Sequence, residues 1–248
     1  LKQDTDYEII SYEGGQKDNA ITREAVCEIL VAREDIEAVK ACAAKAEKGI
    51  REEYAGTDSN ITVQITEEGY AETDVLHPTS REKVLFYLVQ IPFGIQKMSG
   101  NIEGLVETST NIGIVKLSDD EFFASSSVRS SVEAARDALS DKIQYLTEFL
   151  GGEFEIQGAY PAWEYRKDSP LRDKMVSVYE EMYGQKPEVV AIHAGLECGL
   201  FYKKIEGLDC VSLGPNMKGI HTSEEVLDIA STERVWNYIV KVLEQLKD

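Results

Sequence analysis

Few residues of this 248-residue chain could do chemistry, and the three histidines stand far apart. His221 lies in GPNMKGIHTSEE, past a glycine-rich turn that follows the apolar run from Cys210 to Leu213. His193 lies in IHAGLECGLF, at the end of a second apolar run. Both fall at or just beyond the C-terminal end of a predicted strand, where open α/β sheets bind ligands. An imidazole there could ligate a metal, or be a surface or cap residue of the turn. His77, in VLHPTS before a predicted helix, reads as structural.

A catalytic zinc needs about three protein ligands and an open position for water. The chain has no HxD, HExxH or HxH, and the paired acids Glu224 and Glu225 sit where a helix N-terminus favours negative charge anyway. A metal site therefore cannot be closed from within this sequence. Near His193, Glu197 adds a carboxylate, and Gly195 and Gly199 allow close backbone approach. That stretch is either a small-molecule pocket wall or a tight strand-to-helix turn with Cys198, Leu200 and Phe201 packed inward.

Two further groups are of the types that grip a carboxylate or a developing oxyanion: Asn19 in DNAITREA and Arg129 in SSSVRSS. Taken singly they are a turn residue and a surface charge. The hydroxyl run around Arg129 lacks a G-x-S-x-G context and does not read as a serine nucleophile.

The elements that position these residues come in two rhythms. Strands are predicted on either side of Gly14-Gly15. A helix follows in which Ile36, Val39, Ala43, Ala46, Ile50 and Tyr54 share a face, and then an alternating strand through Ile61, Val63 and Ile65. A second round has a helix ended by Pro92 and Gly94, strands in LVETSTNIGIVKLS and EFFASSSVRS, and a helix capped by Ser131 and stopped at Gly151. This predicts an α+β sandwich, an antiparallel sheet with helices on one face.

After about Gln157 helices alternate with the apolar runs PEVVAIHAG and LDCVSLGP, the signature of a parallel α/β layer. That region is short of strands for an independent sheet.

Bulk properties narrow the partners. With 26 Lys+Arg against 45 Asp+Glu the formal charge is -19, which disfavours nucleic acid and anionic membrane surfaces. No apolar run approaches the roughly 20 residues that span a bilayer, and no signal-peptide core is visible, so the expected location is cytoplasmic. Cys27, Cys42, Cys198 and Cys210 show no CxxC spacing, so neither a zinc knuckle nor a redox pair is indicated; they read as reduced thiols, mostly buried.

Taken together, GGQKDNAITREA, VETSTNIGIV, VRSS, GAYPAW, IHAGLECGLF and VSLGPNMKGIHTSEE resemble the C-terminal half of the aminoacyl-histidine dipeptidases, also called Xaa-His or cytosol non-specific dipeptidases, in the carnosinase and aminoacylase group of zinc peptidases. The match runs in order over residues 7 to 235. It implies a lid over residues 1–157, lacking its beginning, and the closing part of an α/β zinc-peptidase catalytic domain over 158–248.

By the same resemblance His221 is the last metal ligand of a two-zinc site, with manganese or cobalt as substitutes. Its companion ligands and the general base would lie upstream, so the chain reads as a C-terminal fragment, inactive alone. Asn19 and Arg129 match the lid residues that meet the substrate, and His193 and Glu197 fall in the pocket segment. Thr22 and Ser223 stand where prolines are common, changes of turn stiffness more than of chemistry. The implied partners are a short peptide substrate and a second copy in a homodimer. The alternative of a different class is a non-catalytic binding or oligomerisation module of the same fold.

Overall fold

The computed structural model of the chain describes residues 5–58, 60–118, 120–191, 196–220 and 224–247. Two compact units divide it: Leu1–Phe93, Thr110–Ser127 and Ile143–Glu153 form one, and Gly94–Ser109, Val128–Lys142 and Phe154–Asp248 the other. The described strands are β1 (Tyr7–Gly14), β2 (Ala25–Val31), β3 (Gly94–Met98), β4 (Val106–Leu117), β5 (Phe122–Ser130), β6 (Met217–Lys218) and β7 (Val226–Leu227). The helices are α1 (Ile36–Glu53), α2 (Pro78–Gln90), α3 (Glu133–Phe149), α4 (Pro170–Tyr183), α5 (Glu197–Lys204) and α6 (Ile229–Gln245).

The main sheet has the order β2-β1-β4-β3, with β5 also paired to β4. β1 runs antiparallel to β2, from Tyr7 opposite Val31 to Gly14 opposite Ala25, with an irregularity between Ile9 and Ser11. Its far end meets β4 antiparallel, with Tyr12, Glu13 and Gly14 opposite Leu117, Lys116 and Val115. The expected mixture of antiparallel sheet and helices is therefore what the chain adopts. In the first unit Ile9, Val39, Val84, Tyr87, Val115, Leu117 and Ile143 are buried. Tyr87 meets Phe122 edge-on with ring centroids 5.6 Å apart, a geometry that adds to simple area burial. The apolar stripe of α1 is covered only near its start: Val39 is buried, whereas Ile50 and Tyr54 are exposed.

His77 caps α2, its Nδ1 accepting from the Thr79 N–H at 3.3 Å, so its structural reading holds. Pro78 follows at the first helical position, where a missing N–H costs nothing. Gly151 stops α3 at φ +86°, as expected of a glycine there. The cap itself lies one residue later than expected: α3 begins at Glu133, and the Arg136 N–H donates to Val132 O.

The alternation at Ile61, Val63 and Ile65 does not form a strand. Its backbone polar groups are taken by side chains of α1 instead. The Val63 N–H donates to Glu47 Oε2 at 3.1 Å, and Arg51 Nε donates to Ile61 O. An extended segment needs partners for its polar backbone, and a helix surface can supply them in place of a neighbouring strand.

In the second unit α4 and α6 pack through Met175, Val178, Tyr238 and Val242. The Tyr238 hydroxyl donates to Met175 O at 2.7 Å, and Val178 is fully buried, a contribution of about 1.5–3 kcal/mol. Ser169 caps α4 and Gly184 ends it in the left-handed region. The apolar runs expected as strands at 187–195 and 208–215 form none within the described residues, although β6 and β7 make a short antiparallel pair. Val189 and Val190 are exposed there. A parallel strand is held by neighbours on its edges, and no described strand pairs with these runs. Among the described residues no helix is long and apolar enough to cross a membrane.

Candidate functional site

In the first unit the segment carrying Asn19 is a loop between β1 and β2, folded onto the middle of β4. Gly15 opens it at φ +78°, and its N–H donates to Glu24 O across the loop's base. The Ala20 N–H donates to Lys17 O, closing a turn around Asn19. Two side chains then pin the loop to the strand. Thr22 Oγ1 donates to Ile112 O at 3.0 Å with Gly113 O at 3.3 Å, and Asn111 Nδ2 donates to Ala20 O at 2.8 Å.

Glycine is required where these backbones meet. A Cβ on Gly113 would stand 2.3 Å from Asp18 O, and one on Gly15 would stand 1.8 Å from Gly113 O. Asn19 is thus presented, exposed, on a loop fixed from both sides. Thr22 does more than relax a turn. Its hydroxyl donates into the strand, which a proline ring could not do.

In the second unit Arg129 is exposed near the end of β5. One hydroxyl beside it, that of Ser130, serves the backbone. Ser130 Oγ lies 2.9 Å from Thr108 Oγ1 and accepts from the Val132 N–H at 3.1 Å, and the Ser131 N–H donates to Glu107 O at 3.1 Å. These bonds anchor the strand end that carries the guanidinium. Lys97 Nζ sits 2.6 Å from the buried Glu107 carboxylate on the neighbouring strand.

Glu197 is the first residue of α5 and is exposed, where a carboxylate complements the helix dipole. The helix is seated by Gly199, which is buried against residues 161–163: a Cβ there would lie 2.8 Å from Pro161 O. Two of the motifs, GAYPAW and IHAGLECGLF, are thereby in contact. Lys203 Nζ reaches Glu133 Oε1 at 2.8 Å, and that hydrogen bond, with the added charge of Arg136, holds the Glu133 carboxyl below its usual range. The stretch packs through Gly199 on the GAYPAW residues, but Leu200 and Phe201 are exposed and Cys198 is only half-buried, which corrects the expectation of a turn with those three side chains packed inward; Glu197 also remains outside the packing.

Beside α5 lies the 208–213 segment. Cys210 Sγ approaches Cys198 O at 3.9 Å. Ser169 Oγ and the Leu171 N–H donate to the two oxygens of Asp209 at 2.7 and 2.9 Å. Burial raises the Asp209 carboxyl, but these bonds and the charges of Arg166 and Arg172 outweigh it and leave the group below its ordinary value. None of the cysteines is fully buried: Cys27 is exposed and Cys42, Cys198 and Cys210 are half-buried, which corrects their reading as mostly buried thiols.

His193 and His221 lie outside the described residues. Among the described residues no group of three or more His, Cys, Asp or Glu side chains converges as a metal site. The described donors do not make a metal centre by themselves. Sequence reasoning passed over Asn111, although it stands within VETSTNIGIV; an amide between Thr110 and Ile112, two residues before Gly113 on a long strand, was the available signal.

The sequence profile of peptidase family M20/M25/M40 matches residues 3–245. The cytosol non-specific dipeptidase of Escherichia coli strain K12 is 29% identical over 244 residues, which are 98% of this chain and 50% of that protein. The crystal structure of an aminoacylhistidine dipeptidase from Vibrio alginolyticus superposes with a TM-score of 0.89 at 30% identity, over 98% of this chain and 49% of that one. An aminopeptidase PepT from Bacillus cereus shares the fold alone, with a TM-score of 0.53 at 15% identity over 68% of this chain and 46% of its own. The chain spans about half the length of the dipeptidases that it matches.

Proposed function

The chain belongs to peptidase family M20/M25/M40, and from that premise we propose that it is the substrate-gripping and closing half of a metal-dependent dipeptidase acting on Xaa-His and other short dipeptides. Residues 1–157 are assigned to the lid and 158–248 to the end of the catalytic domain. The observation that carries the reading is the loop of Asn19 fixed onto Asn111 and Gly113, because it holds a polar group ready at a defined place before any substrate arrives. The likeness to the Vibrio dipeptidase over nearly the whole chain supports it.

In this assignment Asn19 and Arg129 hold the dipeptide's free carboxylate end and the developing oxyanion. A guanidinium suits a carboxylate by forked hydrogen bonding, and an amide N–H donates without adding charge. His193 and Glu197 belong to the wall of the substrate pocket. His221 is one ligand of a two-zinc centre whose other ligands lie outside this sequence, with manganese or cobalt as substitutes. Zinc held there would supply Lewis-acid chemistry toward the scissile carbonyl and a water of lowered pKa. The chain alone is inactive, and the intact protein acts as a homodimer.

The test is hydrolysis of Gly-His and β-Ala-His with zinc or manganese. It compares the 248-residue chain, the intact protein, and the intact protein with His221→Ala. Turnover by the intact protein that is lost in the variant, with none by the chain, is the expected result. Turnover by the chain alone would overturn the ligand assignment. An inactive intact protein that still binds dipeptide would favour a non-catalytic binding module. Arg129→Ala in the intact protein should raise KM or lower kcat.

A further inference from the structure

Cys198 and Cys210 are twelve residues apart, without the spacing of a redox motif. The fold brings them together. Cys210 Sγ lies 3.9 Å from the carbonyl oxygen of Cys198, and the Cys198 side chain is near enough to help raise the Cys210 thiol. Each sulfur sits on a segment that is independently fixed. Cys198 is in the first turn of α5, seated through Gly199 against Pro161. Cys210 follows Asp209, whose carboxylate is held by Ser169 and by the Leu171 N–H. Both thiols are half-buried rather than sealed in the core.

Neither cysteine takes part in the dipeptidase reading, and the pair needs no metal. We propose that Cys198 and Cys210 form a thiol pair that closes to an intramolecular disulfide on reaction with a small-molecule disulfide, cross-linking the first turn of α5, which carries Glu197, to the 208–213 segment.

The exchange balances with such a disulfide as oxidant. The Cys198 thiolate attacks one sulfur of, for example, oxidised glutathione. The S–S bond breaks, one glutathione thiolate leaves, and a mixed disulfide remains on Cys198. The deprotonated Cys210 sulfur then attacks the Cys198 sulfur, forming the protein disulfide and expelling the second glutathione thiolate. The two protons lost by the protein thiols end on the two departing thiolates. The protein is oxidised by two electrons and the glutathione disulfide is reduced to two thiols.

The order of attack follows from Cys210. Burial, and after it the neighbouring Cys198 and Asp209, push its thiol up to about 11. It is slow to begin an exchange at neutral pH but is already in place for the second, intramolecular step. Once formed, the bridge closes a loop that contains the Gly207 turn and removes freedom from the unfolded chain, so the oxidised form should melt at the higher temperature.

The experiment treats the full chain, natively folded, with oxidised glutathione. Remaining thiols are blocked and the protein is digested with trypsin without reduction. Cleavage after Lys203 and Lys204 separates the two cysteines. The expected result is one cross-linked peptide pair holding Cys198 and Cys210, lost on reduction, in protein that still migrates as a single chain on a non-reducing gel. A Cys210→Ser variant should instead retain glutathione on Cys198. A wild-type chain that keeps glutathione on either residue without the cross-link overturns the proposal. So does modification confined to Cys27 or Cys42, or a bridge found only between two chains.

Discussion

The side-chain amide of Asn111, on β4, donates to the backbone carbonyl of Ala20, in the loop between β1 and β2, at 2.8 Å. The residue next to Ala20 is Asn19, the candidate substrate-gripping amide. The bond spans 91 residues of sequence and, with the Thr22 hydroxyl on Ile112 O, replaces the ladder that the loop lacks. Placement of Asn19 is therefore a property of β4 as much as of the loop.

Replacing Asn111 with Ala should remove one side of that clamp. The expected loss is about 1 kcal/mol of stability, the usual worth of a single hydrogen bond. Native-state amide exchange checks it more closely. Exchange in residues 17–24 should quicken while the paired amides of β1 and β2 stay protected. Uniform acceleration across the sheet would mean that Asn111 supports the unit as a whole.

Gly113→Ala should be the harsher change. The added Cβ would stand 2.3 and 2.4 Å from the carbonyl oxygens of Asp18 and Lys17, both backbone atoms that cannot rotate away. The loop must move off the strand or the strand must bend, at about 1–3 kcal/mol as for other overpacked sites. Urea denaturation measures this directly. In the intact protein the same variant should lose dipeptide affinity if Asn19 grips substrate.

These contacts mark the limit of what was legible. Period and punctuation located β1, β2, β4, β5 and the helices, because each has a local signal such as alternation, a cap or a glycine stop. The same alternation misled at Ile61 and Val63. A half-buried extended segment looks alike whether its backbone bonds to a strand or, as here, to Glu47 and Arg51 of α1. β3 was missed: at Gly94–Met98 every residue but the first is exposed, so it lacks an alternating buried face. The motifs carried the family, and hence Asn19, Arg129 and Glu197. Which motif touches which depends on long-range closure, which spacing along the chain does not encode. Thr22 on Ile112, Gly199 on Pro161 and Cys210 beside Cys198 are all of that kind.

The interface of α4 and α6 offers a test of the second unit's core. Val178→Ala would empty a fully buried site and should cost about 1–3 kcal/mol. Tyr238→Phe removes only the hydroxyl that donates to Met175 O and should cost about 0.5–1.5 kcal/mol. Thermal unfolding followed by circular dichroism should rank the two in that order. A larger effect of Tyr238→Phe would mean that Met175 O depends on that hydroxyl for its satisfaction.

Asp209 provides a prediction with a sign set by pH. Its carboxylate accepts from Ser169 Oγ and from the Leu171 N–H, and Ser169 Oγ in turn accepts from the Arg172 N–H at the start of α4. The charged form is thus tied to the N-terminus of a helix, where negative charge is favoured. Because the folded pKa lies below the ordinary aspartate value of 3.8, the native state favours the deprotonated group. That stabilisation is fully present above about pH 5 and is lost as pH falls through 3.8 toward the depressed folded value. Asp209→Asn should therefore be less stable than wild type at pH 7, with the gap narrowing steadily below pH 4. Denaturant titrations at pH 7, 5 and 3.5 decide it. A gap that stays constant down to the lowest pH would show that the side chain's shape, and not its charge, holds the 208–213 segment beside α4.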